Sequence, residues 1–233
     1  MIEKPNITNI LFLDIETVPQ YQYYDLVPEN IKPLWDKKSQ FYRKNEETPE
    51  EFYNKAGIWA EFGKIVCISL GKFTPTGQLK IKSLYGENEI DILLKFSSLL
   101  QKFPSDLSLC AHNGKEFDFP YLCRRALINE LPIPAQLNTI RKKPWEVNHL
   151  DTLELWKFGD HKSYTSLELL AAIFDIPTPK DELDGSQVAH TYYIEKDLSK
   201  IVSYCQKDVL TLARVFQRLN GQEFVNDADV LYT

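Results

Sequence analysis

The sequence is poor in the residues that would make it a cross-linked scaffold, a fibre or a membrane span. It has only four cysteines, Cys67, Cys110, Cys123 and Cys205, each in an apolar stretch and none in a C-x-x-C pair. That excludes a disulfide-dense secreted framework and reads as free, buried thiols in a reducing cytoplasm. Four histidines make no zinc-ligand spacing with those cysteines. Nine glycines and 13 prolines leave no room for collagen-like or low-complexity structure. No apolar run approaches the roughly 18 residues needed to cross a bilayer. The first residues lack the basic start and apolar centre of a secretory signal, so the expectation is a cytoplasmic protein with no membrane partner. Basic residues are also in deficit, 27 against 33 acids, for a net charge of −6. No broad basic footprint for nucleic acid is present, although bound metal ions can make an acidic cleft locally positive.

What is present suits a buried core: 43% of the 233 residues are hydrophobic. No internal repeat of 20–50 residues occurs, which excludes solenoids and propellers. Residues 7–16 form a short apolar run that reads as a central strand. Residues 64–70 and 79–85, joined by a Pro/Gly turn, read as an antiparallel hairpin. Between the first two strands, residues 21–60 mix aromatic and charged side chains and read as a helical insertion. Apolar spacing predicts a helix over 87–102, a strand over 107–112 and a helix over 119–129 opened by Pro120. A proline-rich crossing follows, then a fifth strand over 145–151. Thr165 to Glu168 fits a capping box, and a last long helix spans about 197–220. This order is that of an α/β protein with a mixed sheet, and one domain covering 1–233 suffices.

Three groups of acids stand out. Asp14 and Glu16 are two apart on a strand, so both project from one face, behind the apolar Ile10 and Phe12. Like charges so placed repel unless cations hold them; alone, the pair is also what a solvated strand end looks like. Asn113 to Asp118 contains an Asn-Gly turn and an acid at a helix start, and alone reads as a cap. On the last helix Asp208 falls about 60° from the centre of the apolar stripe. Tyr204 is one turn earlier, so the two side chains are neighbours. A salt bridge would also satisfy Asp208.

In combination and in that order, the groups resemble the three motifs of the DEDD superfamily of 3′→5′ exonucleases, in its tyrosine-bearing branch. The likeness is nearest to the proofreading exonuclease domain of family B DNA polymerases and its predicted stand-alone relatives. It rests on residues 13–17, 112–121 and 204–208, with support from 62–69, and spans most of the chain. The resemblance implies a ribonuclease H-like fold: a five-stranded mixed sheet, three antiparallel strands then two parallel, flanked by helices. It implies two-metal hydrolysis of phosphodiesters at the 3′ end of single-stranded DNA, releasing nucleoside monophosphates. RNA as substrate, or a catalytically silent nucleic-acid-binding module of the same fold, are the alternatives. Asp14, Glu16, Asp118 and Asp208 would hold two Mg²⁺ or Mn²⁺ ions, and Tyr204 would position the attacking water. No histidine lies within five residues before Asp208, so the tyrosine takes that role. Two cations about 4 Å apart stabilise charge on the attacking and leaving oxygens, and four acids complement them.

Substrate contacts are expected from Thr17, Asn113 and Phe117, with core packing or backbone bonding as their plainer roles. Leu13 and Ile15 are apolar candidates of the same kind. His149 and Asp151 could be an extra metal pair but read better as supporting or surface groups. Lys162, Ser163 and Tyr164 precede a helix where phosphate can meet backbone N–H groups. Arg141, Lys142 and Lys143 could contact an incoming strand. A protein partner from replication or repair remains open at this point.

Overall fold

The first apolar run forms the central strand because both of its faces are greasy. Leu11, Leu13 and Ile15 join one core cluster, and Ile10 and Phe12 another. The computed structural model describes residues 6–44, 46–160, 162, 164–177 and 183–233. Strand β1 covers Ile10–Pro19, starting three residues later than expected. Asn6 caps a 3-10 turn at Ile7–Asn9 by accepting from the Thr8 N–H. Strands β2 (Gly63–Phe73) and β3 (Leu79–Tyr85) follow as the expected antiparallel meander. Strand β4 (Ser108–Ala111) runs parallel to β1, and β5 (Leu150–Asp151) parallel to β4.

The sheet has six strands, not five. Strand β6 (Val230–Tyr232) adds in parallel to β3, giving the order β5-β4-β1-β2-β3-β6. Three residues are too few to show an alternation in sequence, which is why this edge was illegible. The fifth strand is correspondingly shorter than the predicted 145–151. Pro144 opens a 3-10 turn, Pro144–Glu146, and Glu146 accepts from the Lys143 N–H at 2.7 Å, so that part of the segment turns instead of pairing.

Helices cover both faces. Helix α1 (Lys32–Ser39) lies in the segment between β1 and β2, α2 (Glu89–Leu100) follows β3, and α3 (Asp118–Ile128) follows β4. Then come α4 (Thr152–Lys157), α5 (Leu167–Ile173) and the short α6 (Val188–His190), which runs into a single wide turn at Thr191–Glu195. Helix α7 (Leu198–Leu219) is the long amphipathic one, capped by Asp197. The cap of α5 is Ser166, whose hydroxyl accepts from Leu169 N at 3.2 Å, one residue later than expected; Thr165 instead accepts from Trp156 Nε1 at 3.2 Å. Helices α2 and α3 pack on the Leu11–Leu13–Ile15 face and α7 on the other, where Phe12 meets Phe216 edge-on at 5.5 Å. Gly71 lets α7 approach β2: a Cβ there would sit 2.7 Å from a Val209 methyl.

The segment between Gln20 and Phe62 is a long hairpin loop, with Gln20 N donating to Phe62 O at 2.8 Å where it leaves and returns. As expected it is helical, built on fully buried Trp35, whose ring meets those of Phe52, Tyr53, Trp59 and Phe62. A buried ion pair pins this region to the sheet. Arg125 on α3 binds both oxygens of Glu89 on α2, and donates to Ala60 O at 2.8 Å and Gln20 Oε1 at 3.0 Å. Glu89 also accepts from the Ile65 N–H of β2 and from Asn129. Such a pair is tolerable only because these lone pairs and protons are satisfied.

Candidate active site

The alternation of β1 carries Asp14 and Glu16 out on the α7 side of the sheet, in line with Ile10 and Phe12. A register shift falls between Glu16 and Thr17: Glu16 stands opposite Cys67 and Thr17 opposite Ile65. Such a bulge re-aims the side chains beside it. From the other side, α7 brings Tyr204, Cys205 and Asp208. Cys205 is fully buried, its sulfur 3.2 Å from Asp14 Oδ2 and 3.5 Å from the Asp14 carbonyl. One ligand atom each from Asp14, Glu16 and Cys205 lie within 4.8 Å of one another. The Tyr204 phenol hydrogen-bonds Asp208 on the next turn.

The third motif element arrives from α3. Asp118 is buried and is the first residue of the helix, not its cap; Phe117 occupies the cap position. The Asp118 carboxylate accepts hydrogen bonds from its own N–H and from the Ile15 N–H. Strand β4 pairs with β1 only over Ile10, Leu11 and Phe12, so the backbone of β1 beyond that point is open to Asp118. One acid is thereby fixed to the peptide link between the other two.

Electrostatically these groups act as one cluster. Burial, then Asp208 and Asp118, raise the Asp14 carboxyl well above its usual range. Burial, then Asp14 and Asp208, do the same to Glu16. Asp118 is pushed up to about 7, chiefly by burial. Burial, then Asp208, Glu16 and Asp14, raise the Tyr204 phenol, so it stays protonated and can donate. Repelling, desolvated carboxylates together with a thiol form a donor set that cations relieve; the residues present fit divalent ions.

The β4–α3 loop is held by Asp151, which accepts from Asn113 N at 2.9 Å, Lys115 N at 3.1 Å and Leu153 N at 2.9 Å. Asn113 sits at φ 60°, the left-handed region that asparagine tolerates. Gly114 follows because a Cβ there would come 2.3 Å from that of Ala111. His112 bridges Thr152 and the Thr165 carbonyl, at 2.9 and 2.8 Å, and burial lowers its pKa. Asp151 is therefore a supporting group. His149 does not join it as a metal pair: its Nδ1 accepts from Leu109 N at 3.4 Å and its ring lies on Phe119.

The expected substrate contacts divide. The Asn113 side-chain amide makes no hydrogen bond among the described residues and is free beside the acids' loop. Thr17 is on the opposite face of β1 from the acids, where its hydroxyl hydrogen-bonds Tyr121. Phe117 packs with Tyr121 against the core that also buries Leu13 and Ile15. For these the plainer packing roles match the structure. Lys162 is exposed, its N–H donating to Asp160, and Ser163 lies outside the described residues. Tyr164 is exposed near His112, and its phenol is raised by burial, Asp118 and Asp151. Arg141, Lys142 and Lys143 are exposed.

Sequence reasoning missed Cys205, and with it a polar chain behind Asp14: Ser69 and Ser83 share a hydrogen bond of 2.8 Å, and Gln206 donates to Ser83 at 3.0 Å. The available signal was that Ser69 interrupts the apolar β2 run opposite Asp14, and that Cys205 adjoins Tyr204 on the buried stripe.

Buried acids at the end of a central strand, an acid at the start of the helix after β4 and a Tyr/Asp pair on the last long helix define a class, the ribonuclease H-like 3′→5′ exonucleases. The chain belongs to the family described as "Predicted 3'-5' exonuclease related to the exonuclease domain of PolB", which matches residues 58–225. That span contains Asp118, Tyr204 and Asp208 and leaves Asp14 and Glu16 before it. Among solved structures, the chain is similar to the family B DNA polymerase of the hyperthermophilic archaeon Pyrobaculum calidifontis. The TM-score is 0.52 and the identity 14%, covering 91% of this chain and 27% of the polymerase. The chain thus spans about a quarter of that polymerase's length, and the likeness is one of fold. A search of curated proteins finds no match. Among the described residues, no helix is long and apolar enough to cross a membrane.

Proposed function

We propose that the chain hydrolyses phosphodiester bonds at the 3′ end of single-stranded DNA, stepwise and with two divalent ions, Mg²⁺ or Mn²⁺, releasing nucleoside monophosphates. The observation that carries this reading is the clustering of Asp14 and Glu16 with Cys205 within one ion's reach, next to buried Asp118 and electrostatically linked Asp208. Asp14, Glu16, Asp118 and Asp208 are the residues to hold the ions. When bound, such ions supply Lewis-acid stabilisation of phosphoryl charge and a lowered water pKa.

The chain's own groups do the rest. Tyr204, kept protonated by its acidic surroundings, donates a hydrogen bond that orients the attacking water while Asp208 holds the phenol in place. Asn113, with its amide uncommitted, is the group suited to bind the terminal nucleotide. Asp151 keeps the loop bearing Asn113 and Asp118 in register.

The test uses DNA and RNA strands of one sequence, labelled at the 5′ end, with and without Mn²⁺ and chelator. Chelator-sensitive, stepwise shortening of the DNA, faster than of the RNA, is expected. Equal or faster loss of RNA overturns the substrate assignment. No cleavage of either by the folded protein with Mn²⁺ overturns the enzyme reading in favour of a binding module.

A further inference from the structure

Away from the acids, on the edge of the sheet, lies a groove of about 730 Å³ between β3 and α2. Four consecutive β3 residues, Lys82, Ser83, Leu84 and Tyr85, line it. Successive strand residues point to opposite faces, so a groove touched by all four runs along the strand's edge. That edge is covered only in part: β6 pairs with Leu79, Lys80 and Ile81, and the last bond on it is Thr233 N to Ile81 O at 2.9 Å. Backbone groups that point off an edge recur at every second residue. Ser83 and Tyr85 therefore continue the row begun by Ile81, with no backbone partner on that side among the described residues.

The side chains add a second specification. Lys82, Lys95 and Lys102 rim the groove, are exposed, and form no ion pair with a carboxylate among the described residues. Its floor is apolar, from Leu84, Leu94 and Leu99. In a chain with a net charge of −6 this is a local concentration of uncompensated positive charge.

We propose that this groove docks an extended acidic segment of a partner protein, which adds as a strand to the open end of β3. A peptide supplies both the carbonyls and the N–H groups that an edge row alternately requires. It also places apolar side chains on the leucine floor and carboxylates against the three lysines. A nucleic-acid strand matches only the lysines: phosphates accept but do not donate, so the edge carbonyls would face them unpaired.

The test is fluorescence anisotropy of the full chain with a labelled octapeptide of alternating Asp and Leu, against a Lys/Leu octapeptide and a labelled single-stranded oligonucleotide. The Asp/Leu probe should bind at least about tenfold more tightly than the Lys/Leu one, and more weakly as salt rises. The triple variant Lys82→Glu, Lys95→Glu, Lys102→Glu should lose this binding at least about tenfold while cleaving short oligonucleotides at the wild-type rate. Tyr85→Pro removes an edge N–H without touching a charge and should weaken the peptide severalfold, with an unchanged melting temperature confirming the fold. Peptide binding that survives the triple substitution overturns the proposal, as does a Lys/Leu probe binding equally well. A triple variant that loses oligonucleotide affinity but not peptide affinity assigns the groove to nucleic acid instead.

Discussion

Cys205 lies 3.2 Å from Asp14 Oδ2, so the thiol is a neutral donor steadying one oxygen of a crowded carboxylate. Burial holds its own pKa well up, and it stays protonated. Cys205→Ala is expected to slow nucleotide release about threefold to tenfold and to cost about 1 kcal/mol of stability. Cys205→Ser, which keeps a donor, should recover most of the rate; the two steady-state rates, compared with melting curves, check this. Asp14→Asn should do the opposite to stability: it abolishes hydrolysis but raises the melting temperature of metal-free protein at neutral pH by about 3 °C, by removing one of the repelling charges. A lower melting temperature in that variant would show that the acids do not repel in the folded state. At this scale the sequence was informative about the acids, because Asp14 and Glu16 sit where an apolar alternation demands something else. It was silent on Thr17, whose face depends on the bulge, and on Cys205, which looks like any buried small side chain.

Among the elements, β5 is two residues long, yet it matters more than its length suggests. Its last residue, Asp151, caps α4 and holds the backbone of the loop that carries Asn113 and Asp118. Asp151→Ala strips these acceptors from buried N–H groups and should cost about 2–3 kcal/mol. It should slow hydrolysis as well, because Asp118 loses its registration on β1. Faster amide exchange at Asn113 and Lys115 is the accompanying readout. Long periodic elements were legible: α7 lies over Leu198–Leu219, within a residue or two of its expected span, since its stripe and its Asp197 cap are both local signals. Elements fixed by partners distant in sequence were not. Strand β6 exists because β3 offers an edge, and α4 because Asp151 caps it, and neither fact is written in their own residues.

For the molecule as a whole, buried titratable groups shape stability on both sides of neutrality. Folding raises the Asp118 carboxyl from 3.8 to about 7 and raises Asp14 and Glu16 as well. Their contribution favours the fold at low pH and is lost as pH rises through the raised values. Metal-free protein should therefore melt at progressively lower temperature from pH about 5 to about 8, and Mg²⁺ or Mn²⁺ should reverse most of the loss. Asp118→Asn should flatten that limb. His149 works the other way: burial pushes it from 6.5 down to about 4, so its contribution is complete above 6.5 and is lost as pH falls toward 4. His149→Gln should make the acid limb shallower; an unchanged limb would remove His149 from the account.

The bond from Gln20 N to Phe62 O has an evolutionary consequence. Because the β1–β2 excursion departs and rejoins at one point, its length is nearly invisible to the sheet: doubling a flexible loop costs only about 0.6 kcal/mol in closure entropy. Relatives can enlarge, trim or exchange this aromatic appendix while β1 keeps presenting its acids unchanged, provided something still answers the Arg125 guanidinium at the junction. The segment is a cassette, open to lineage-specific tailoring beside a chemistry that tolerates almost none.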